Sequence, residues 1–222
     1  MYKLYRKTGP DQKTCLNIYV GTVKGEPKKH VRGDMVIMSV TLQDYTGEIM
    51  TVYFRNGDNK RTMLADRIVN AGVKDGTFMA VRAVSSDEEE KSATAIDFKI
   101  GFGAWELKDA EPAITVVIGK PYRMKKLTPS APNTTWTEGL QFTMRLPQRD
   151  GNTEWLTVSF YDDEKHKNAT FANKVLYNAD QSFIAVLGGA IRTSEYNGKC
   201  YRNLTGWRVT KQNPEDAPQT SA

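Results

Sequence analysis

The strongest constraint on this 222-residue chain is that it reads as one unit written twice. Thr51-Val52-Tyr53-Phe54 returns as Thr157-Val158-Ser159-Phe160. The helical stretch from Met63 to Ala71 returns from Phe171 to Ala179, and Phe78-Met79-Ala80-Val81 returns as Phe183-Ile184-Ala185-Val186. Upstream, Ile18-Tyr19-Val20-Gly21 echoes Val116-Val117-Ile118-Gly119. The order of the blocks is kept and only the spacers vary, which is the signature of a duplicated domain.

Each copy reads as three strands, a short helix and two more strands. Runs rich in Val, Ile, Thr and aromatics predict strands near 15–24, 35–44, 48–55, 77–85 and 92–100 in the first copy. In the second they fall near 113–122, 137–146, 154–162, 182–193 and 200–210. Met63, Leu64, Ile68 and Ala71 lie at helical spacing before the stop Gly72, predicting a helix near 61–71, with its counterpart near 169–178. Thr46-Gly47 and Asp150-Gly151 supply the turn between strands two and three of each copy. Five strands with one helix between the third and fourth is the order of the OB-fold, a small Greek-key barrel. The expected fold class is therefore all-β, with two tandem OB-folds at 1–109 and 110–211. Their join lies near Lys108–Pro112, and residues 212–222 form a disordered tail.

Composition narrows the function classes. No apolar run approaches the roughly 20 residues that cross a bilayer, and the N-terminus lacks the apolar core of a secretory signal. The expected setting is the cytoplasm, without a membrane partner and with Cys15 and Cys200 reduced. The two cysteines and two histidines show no metal-ligand spacing. No phosphate loop, zinc-protease motif or nucleophile elbow is present, so neither enzyme nor cofactor is expected. Asp162-Asp163-Glu164 is the nearest approach to a carboxylate cluster and reads as a solvated charge run. The net charge of +5 is spread over both halves and suits a polyanionic partner without proving one.

Three stretches of the second copy carry a likeness to a known family. They are Ile118-Gly119, Thr153-Glu154-Trp155-Leu156-Thr157-Val158-Ser159-Phe160, and Gly189-Ala190-Ile191-Arg192-Thr193-Ser194-Glu195-Tyr196. With these the second copy resembles the bacterial single-stranded DNA-binding (SSB) proteins, and the first copy resembles them only through the repeat. Two units in one chain look like the two-domain SSB variety of some bacteria, or a phage- or plasmid-borne relative. The resemblance implies stacking aromatics at Trp155, Tyr161 and Tyr196. It also implies four barrels per assembly, which this chain would reach as a homodimer. The family's acidic tip ending in Phe, which recruits replication and recombination proteins, has no match in Pro218-Gln219-Thr220-Ser221-Ala222.

Strand alternation gives candidates independently. In 154–161, Leu156, Val158 and Phe160 form an apolar face, leaving Trp155, Thr157, Ser159 and Tyr161 on the other. Two aromatics on a polar face suit base stacking, with a second small core or a dimer contact as the plain alternative. Arg192, Lys125 and Lys126 are candidate phosphate ligands, and Tyr122 and Trp136 extend the stacking surface. In the first copy Tyr53 and Arg55 form a weaker pair, joined by Lys28, Lys29 and Arg32 in the loop between strands one and two. The acidic run 87–90 would repel a phosphate backbone there, so the first copy reads as a weaker binder or an assembly module. Trp105 and Trp207 read as packing residues. The expected function is non-specific binding and protection of single-stranded DNA in replication, recombination or repair. An assembly role or RNA binding are the alternatives, since nothing in the pattern reads a 2′-hydroxyl.

Overall fold

The computed structural model describes residues 1, 3–8, 14–58, 62–86, 91–107, 113–131, 134–147, 153–177, 179, 182–213 and 215. It divides into two compact units, Met1–Ile100 and Gly101–Ala222.

In the first unit the order is β1 (Lys3–Thr8), β2 (Thr14–Val23), β3 (Lys28–Arg32), β4 (Met35–Gln43), β5 (Ile49–Arg55), α1 (Leu64–Asn70), β6 (Phe78–Ser86) and β7 (Ser92–Ile100). Strands β2, β4, β5, β7 and β6 pair in that ring order, and β6 pairs back onto β2. The β5–β7 pairing is parallel and the others are antiparallel, which is the closed OB barrel. Alternation sends Met38, Val40 and Leu42 of β4 and Met50, Val52 and Phe54 of β5 into the core. Leu64, Ala65 and Ile68 of α1 are buried with them. Phe54 and Phe98 meet edge to face at 5.5 Å in its middle.

The second unit repeats this plan. Its elements are β8 (Gly103–Leu107), β9 (Ile114–Gly119), β10 (Pro121–Leu127), β11 (Glu138–Pro147), β12 (Thr153–Asp162), α2 (Asn168–Leu176), β13 (Ile184–Gly188), β14 (Arg192–Tyr196) and β15 (Lys199–Lys211). The first barrel strand is broken at Lys120. Its β9 half pairs with β13 and its β10 half with β11, so one bent strand completes the ring. β12 and β15 pair in parallel, matching β5 and β7. Where β15 crosses the barrel, a Cβ on Gly206 would lie 2.4 Å from the Phe160 ring, so only glycine lets the strand pass.

Both helices are held from the end of the third barrel strand. In the first unit the Asn56 side-chain oxygen (Oδ1) accepts from the Asp66 N–H at 3.1 Å, and its side-chain NH2 donates to the Asp66 carboxylate at 2.9 Å. In the second, buried Asp162 accepts from the N–H groups of Ala169 (2.6 Å) and Thr170 (3.1 Å), and from the Thr170 hydroxyl. These bonds satisfy donors that a helix N-terminus leaves open. Asp162 is thus a structural cap and not part of a solvated run.

The strands and helices expected from sequence are present, with several differences. Lys28–Arg32 is a strand paired with Met35–Ser39 as a two-stranded ribbon, not a loop. The expected strand 182–193 ends at Gly188, and Arg192–Tyr196 forms a separate hairpin with β15. β1 and β8 are additional, and each pairs with the first barrel strand of its unit. Gly103–Leu107 therefore belongs with the second unit by pairing, whereas the sequence placed it in the first. Gln212, expected in the tail, is buried and donates its N–H to the Phe183 carbonyl at 2.7 Å. The join at 108–112, the turn at Asp150-Gly151, the acidic run 87–90 and, apart from Asn213 and Glu215, the rest of the tail lie outside the described residues.

Candidate nucleic-acid interface

Cross-strand partners share a face, so the registers of the second barrel build its outer surface row by row. One row runs Tyr122, Thr143, Thr157, Asn203, Arg192 across five strands. The next runs Lys125, Gln141, Ser159, Thr205, and another pairs Arg145 with Trp155. The β14–β15 ribbon continues the face with Ser194 opposite Tyr201 and Tyr196 opposite Lys199. Its Asn197-Gly198 turn has φ of 51° and 70°, the left-handed pair a tight hairpin needs.

Aromatic side chains sit at both ends of this face. Trp155 is 52% exposed and Tyr196 69%, although burying either would release apolar surface from water. Tyr122 meets Trp155 edge to face, ring centroids 5.8 Å apart, and exposed Tyr201 is on the same face. Six residues further along β12, roughly 20 Å at strand spacing, Tyr161 lies against Trp136 at 5.2 Å. Both of those are half-buried, so that pair offers an edge and not two free faces. Between the ends the surface is hydroxyl and amide, with Gln141 donating to Ser159 at 3.0 Å and Asn203 to Ser194 at 3.0 Å.

The charges on the face are positive. Lys125, Arg145, Arg192 and Lys199 are exposed and form no ion pair among the described residues. The nearby acids are turned away or neutralised. Glu195 pairs with Cys200 on the reverse of the ribbon, and Glu154 is bound by Arg202.

Lys126 does not join this surface. It pairs with core residue Leu140 and lines a cavity of about 210 Å³ against α2, beside Thr170 and Asn173. The cause is a bulge between Tyr122 and Lys125, where Arg123 takes a φ of 54°. The extra residue shifts the alternation by one, carrying Tyr122 and Lys125 to the same face and Lys126 off it. Lys29 departs likewise, lining the matching cavity against α1 with Ala65 and Val69.

The outer face of the first barrel holds the remaining candidates. One row runs Lys28, Ser39, Tyr53, Thr94, and the next runs His30, Ile37, Arg55. Arg32 pairs with Met35 on the same side of the ribbon. His30 meets the Ser39 hydroxyl at 2.8 Å. Trp105 and Trp207 are half-buried in the second unit, Trp105 opposite Val116 and Trp207 over Gly189.

Sequence reading missed Tyr201, Arg145 and Lys199. Tyr201 was within reach, because it shares the parity of Asn203 on a strand whose core residue is Leu204. Arg145 needed the register that puts it opposite Trp155.

No family model matches the chain, and no curated protein matches it. Among solved structures, the chain is similar to a deletion mutant of the single-stranded DNA binding protein from Thermus aquaticus. Identity there is 14%, with 93% of this chain and 98% of that one covered at a TM-score of 0.33. It is also similar to a replication protein A heterotrimer bound to ssDNA. Identity is 13% and the TM-score 0.27, with 93% of this chain covered but only half of that chain. At these scores the OB assignment rests on the strand order and pairing of each unit.

Proposed function

We propose that the outer face of the second barrel binds single-stranded DNA with little sequence preference. The observation that carries this reading is the polar five-strand face on which Trp155, Tyr122, Tyr201 and Tyr196 are exposed among four cations that form no ion pair among the described residues. A base presents a π-face whatever its identity, and each stack is worth roughly 1–3 kcal/mol. Lys125, Arg145, Arg192 and Lys199 supply the phosphate contacts, which release counterions and make binding salt-dependent. Thr157 and Thr143 offer hydroxyls to the sugar-phosphate chain between them. Tyr161 and Trp136 form a second aromatic station further along the strand. Protection of exposed strands in replication, recombination or repair is the role such a surface serves, inside the cell and without a cofactor.

The test uses the placement of the tryptophans. All four, at 105, 136, 155 and 207, belong to the second unit, so selectively excited tryptophan fluorescence reports that unit. Titration with oligo-dT should quench it at low salt and less at high salt, while a matched duplex should not. No quenching by any strand would overturn the reading and leave an assembly module. A ribo-oligomer that quenches more tightly than oligo-dT would move the substrate to RNA.

A further inference from the structure

The two barrels can be aligned by register, and the alignment exposes a substitution of chemistry. The Arg145–Trp155 pair of the second unit corresponds to Gln43–Ile49 of the first. Tyr161, opposite Gly139, corresponds to Arg55 opposite Ile37. Lysine is kept at one position, where Lys125–Gln141–Ser159 matches Lys28–Ser39–Tyr53. The first face has therefore lost its stacking stations and kept or gained cations. Its one aromatic among the described residues, Tyr53, is half-buried between Ser39 and Thr94.

We propose that the first barrel carries a second nucleic-acid site whose ligand is the phosphodiester backbone itself, independent of the bases. Lys28, Arg32 and Arg55 are its phosphate ligands. They are exposed, lie on one side of a β-ribbon and the strand paired directly with it, and form no ion pair among the described residues. His30 between them already points at Ser39. Three acids of the unit are engaged elsewhere, Asp66 with Asn56, Asp97 with Arg67 and Glu48 with the Met1 amine, and the acidic run 87–90 lies outside the described residues. Asp34, in the ribbon turn, is the one acid on the ribbon itself. Cations that form no ion pair among the described residues, set on an extended ribbon and the strand beside it, match a chain of evenly spaced phosphates, and a backbone ligand needs no π-face. The site therefore accepts abasic strand and duplex as well as single strand.

This deepens the reading of the second barrel as a single-strand binder, and the test separates the two. Binding is followed by anisotropy of labelled oligo-dT, of an abasic deoxyribose-phosphate oligomer of equal length, and of a matched duplex. Tryptophan quenching is recorded in parallel. The full chain should bind all three at low salt, with quenching by oligo-dT alone. The triple variant Lys28→Ala, Arg32→Ala, Arg55→Ala should lose abasic and duplex binding at least tenfold and keep the oligo-dT quench. Three lost cations should also reduce the salt slope for the strand by about 2. Lys28→Glu alone, at an exposed position, should reproduce the direction. Wild-type abasic binding by the triple variant, or none by the native chain, would overturn the inference without touching the second site. Weakened oligo-dT binding by Trp155→Ala, read by anisotropy, with abasic binding intact is the complementary result it requires.

Discussion

Two barrels with the same strand order and nearly interchangeable interiors have outer faces that share one lysine and one threonine pair, Thr41–Thr51 and Thr143–Thr157, and little else. Inside, Phe54 and Phe160 occupy corresponding positions, both fully buried. Outside, Ile49 stands where the second unit has Trp155, and Arg55 where it has Tyr161. The difference teaches which parts of a duplicated sequence are constrained by folding. Close packing ties the interior to side chains of a given volume, whereas a solvated sheet face can change from aromatic to cationic at almost no cost in stability. What diverges between the copies is therefore the part free to specify a ligand.

The largest effects should come from the shared interior and be equal in the two units. Phe54→Ala and Phe160→Ala should each destabilise their own barrel by about 3–5 kcal/mol, the usual cost of emptying a fully buried phenylalanine site. Denaturant melts followed by tryptophan fluorescence report the second unit, and the change in circular dichroism beyond that transition reports the first. If Phe54→Ala removed the oligo-dT quench as thoroughly as Phe160→Ala, the comparison of two separate faces would fail.

Smaller and unequal effects should come from the faces. Trp155→Ala should weaken oligo-dT binding by about 1–3 kcal/mol, with little change in melting because the ring is half-exposed. Ile49→Ala, at the corresponding position and 63% exposed, should alter neither binding nor melting. An Ile49→Ala variant that bound oligo-dT as poorly as Trp155→Ala would mean both faces take bases. A Trp155→Ala variant that melted early and bound normally would return Trp155 to a packing role.

How far the sequence foretold this follows from where alternation carries information. Strands with one face in a core, such as β5 and β12, alternate cleanly and were legible to within a residue or two. Lys28–Arg32 was not, because a ribbon wet on both sides has no apolar face to alternate with, and Lys-Lys-His-Val-Arg reads as a charged loop. β8 was hidden for a related reason. As an outermost strand pairing only with β9, it leaves Ala104 and Glu106 exposed. On the candidate surface Trp155 and Thr157 followed from parity alone. Lys125 and Lys126 could not be told apart, since a bulge marked only by the left-handed Arg123 decides which of them turns outward. The Asn197-Gly198 turn was a readable hairpin signal, and with it the ribbon that brings Tyr201 and Tyr196 onto the face.

The smallest expected difference lies at the corner after the third barrel strand. Asn56 and Asp162 hold equivalent places there, each bridged to the residue before its helix. The next residue is Gly57 in one unit and Asp163 in the other. The Asp163 carboxylate accepts the N–H groups of His166 at 2.7 Å and Lys165 at 2.8 Å, and the His166 ring at 3.2 Å. These donors, the His166 backbone N–H foremost, hold its pKa below the ordinary aspartate value. A carboxyl that is more acidic when folded binds fewer protons in the native state than in the unfolded one as pH falls. Its contribution is therefore present above about pH 4 and is lost as pH drops through the folded-state value. Asp163→Asn keeps an oxygen for the two backbone donors but cannot titrate. The tryptophan-detected melt of the second unit should fall less between pH 7 and pH 3 in Asp163→Asn than in the native chain. The first unit, with glycine at that corner, should show no change in acid sensitivity from the substitution. An unchanged acid limb in the variant would remove this corner from the differences between the barrels.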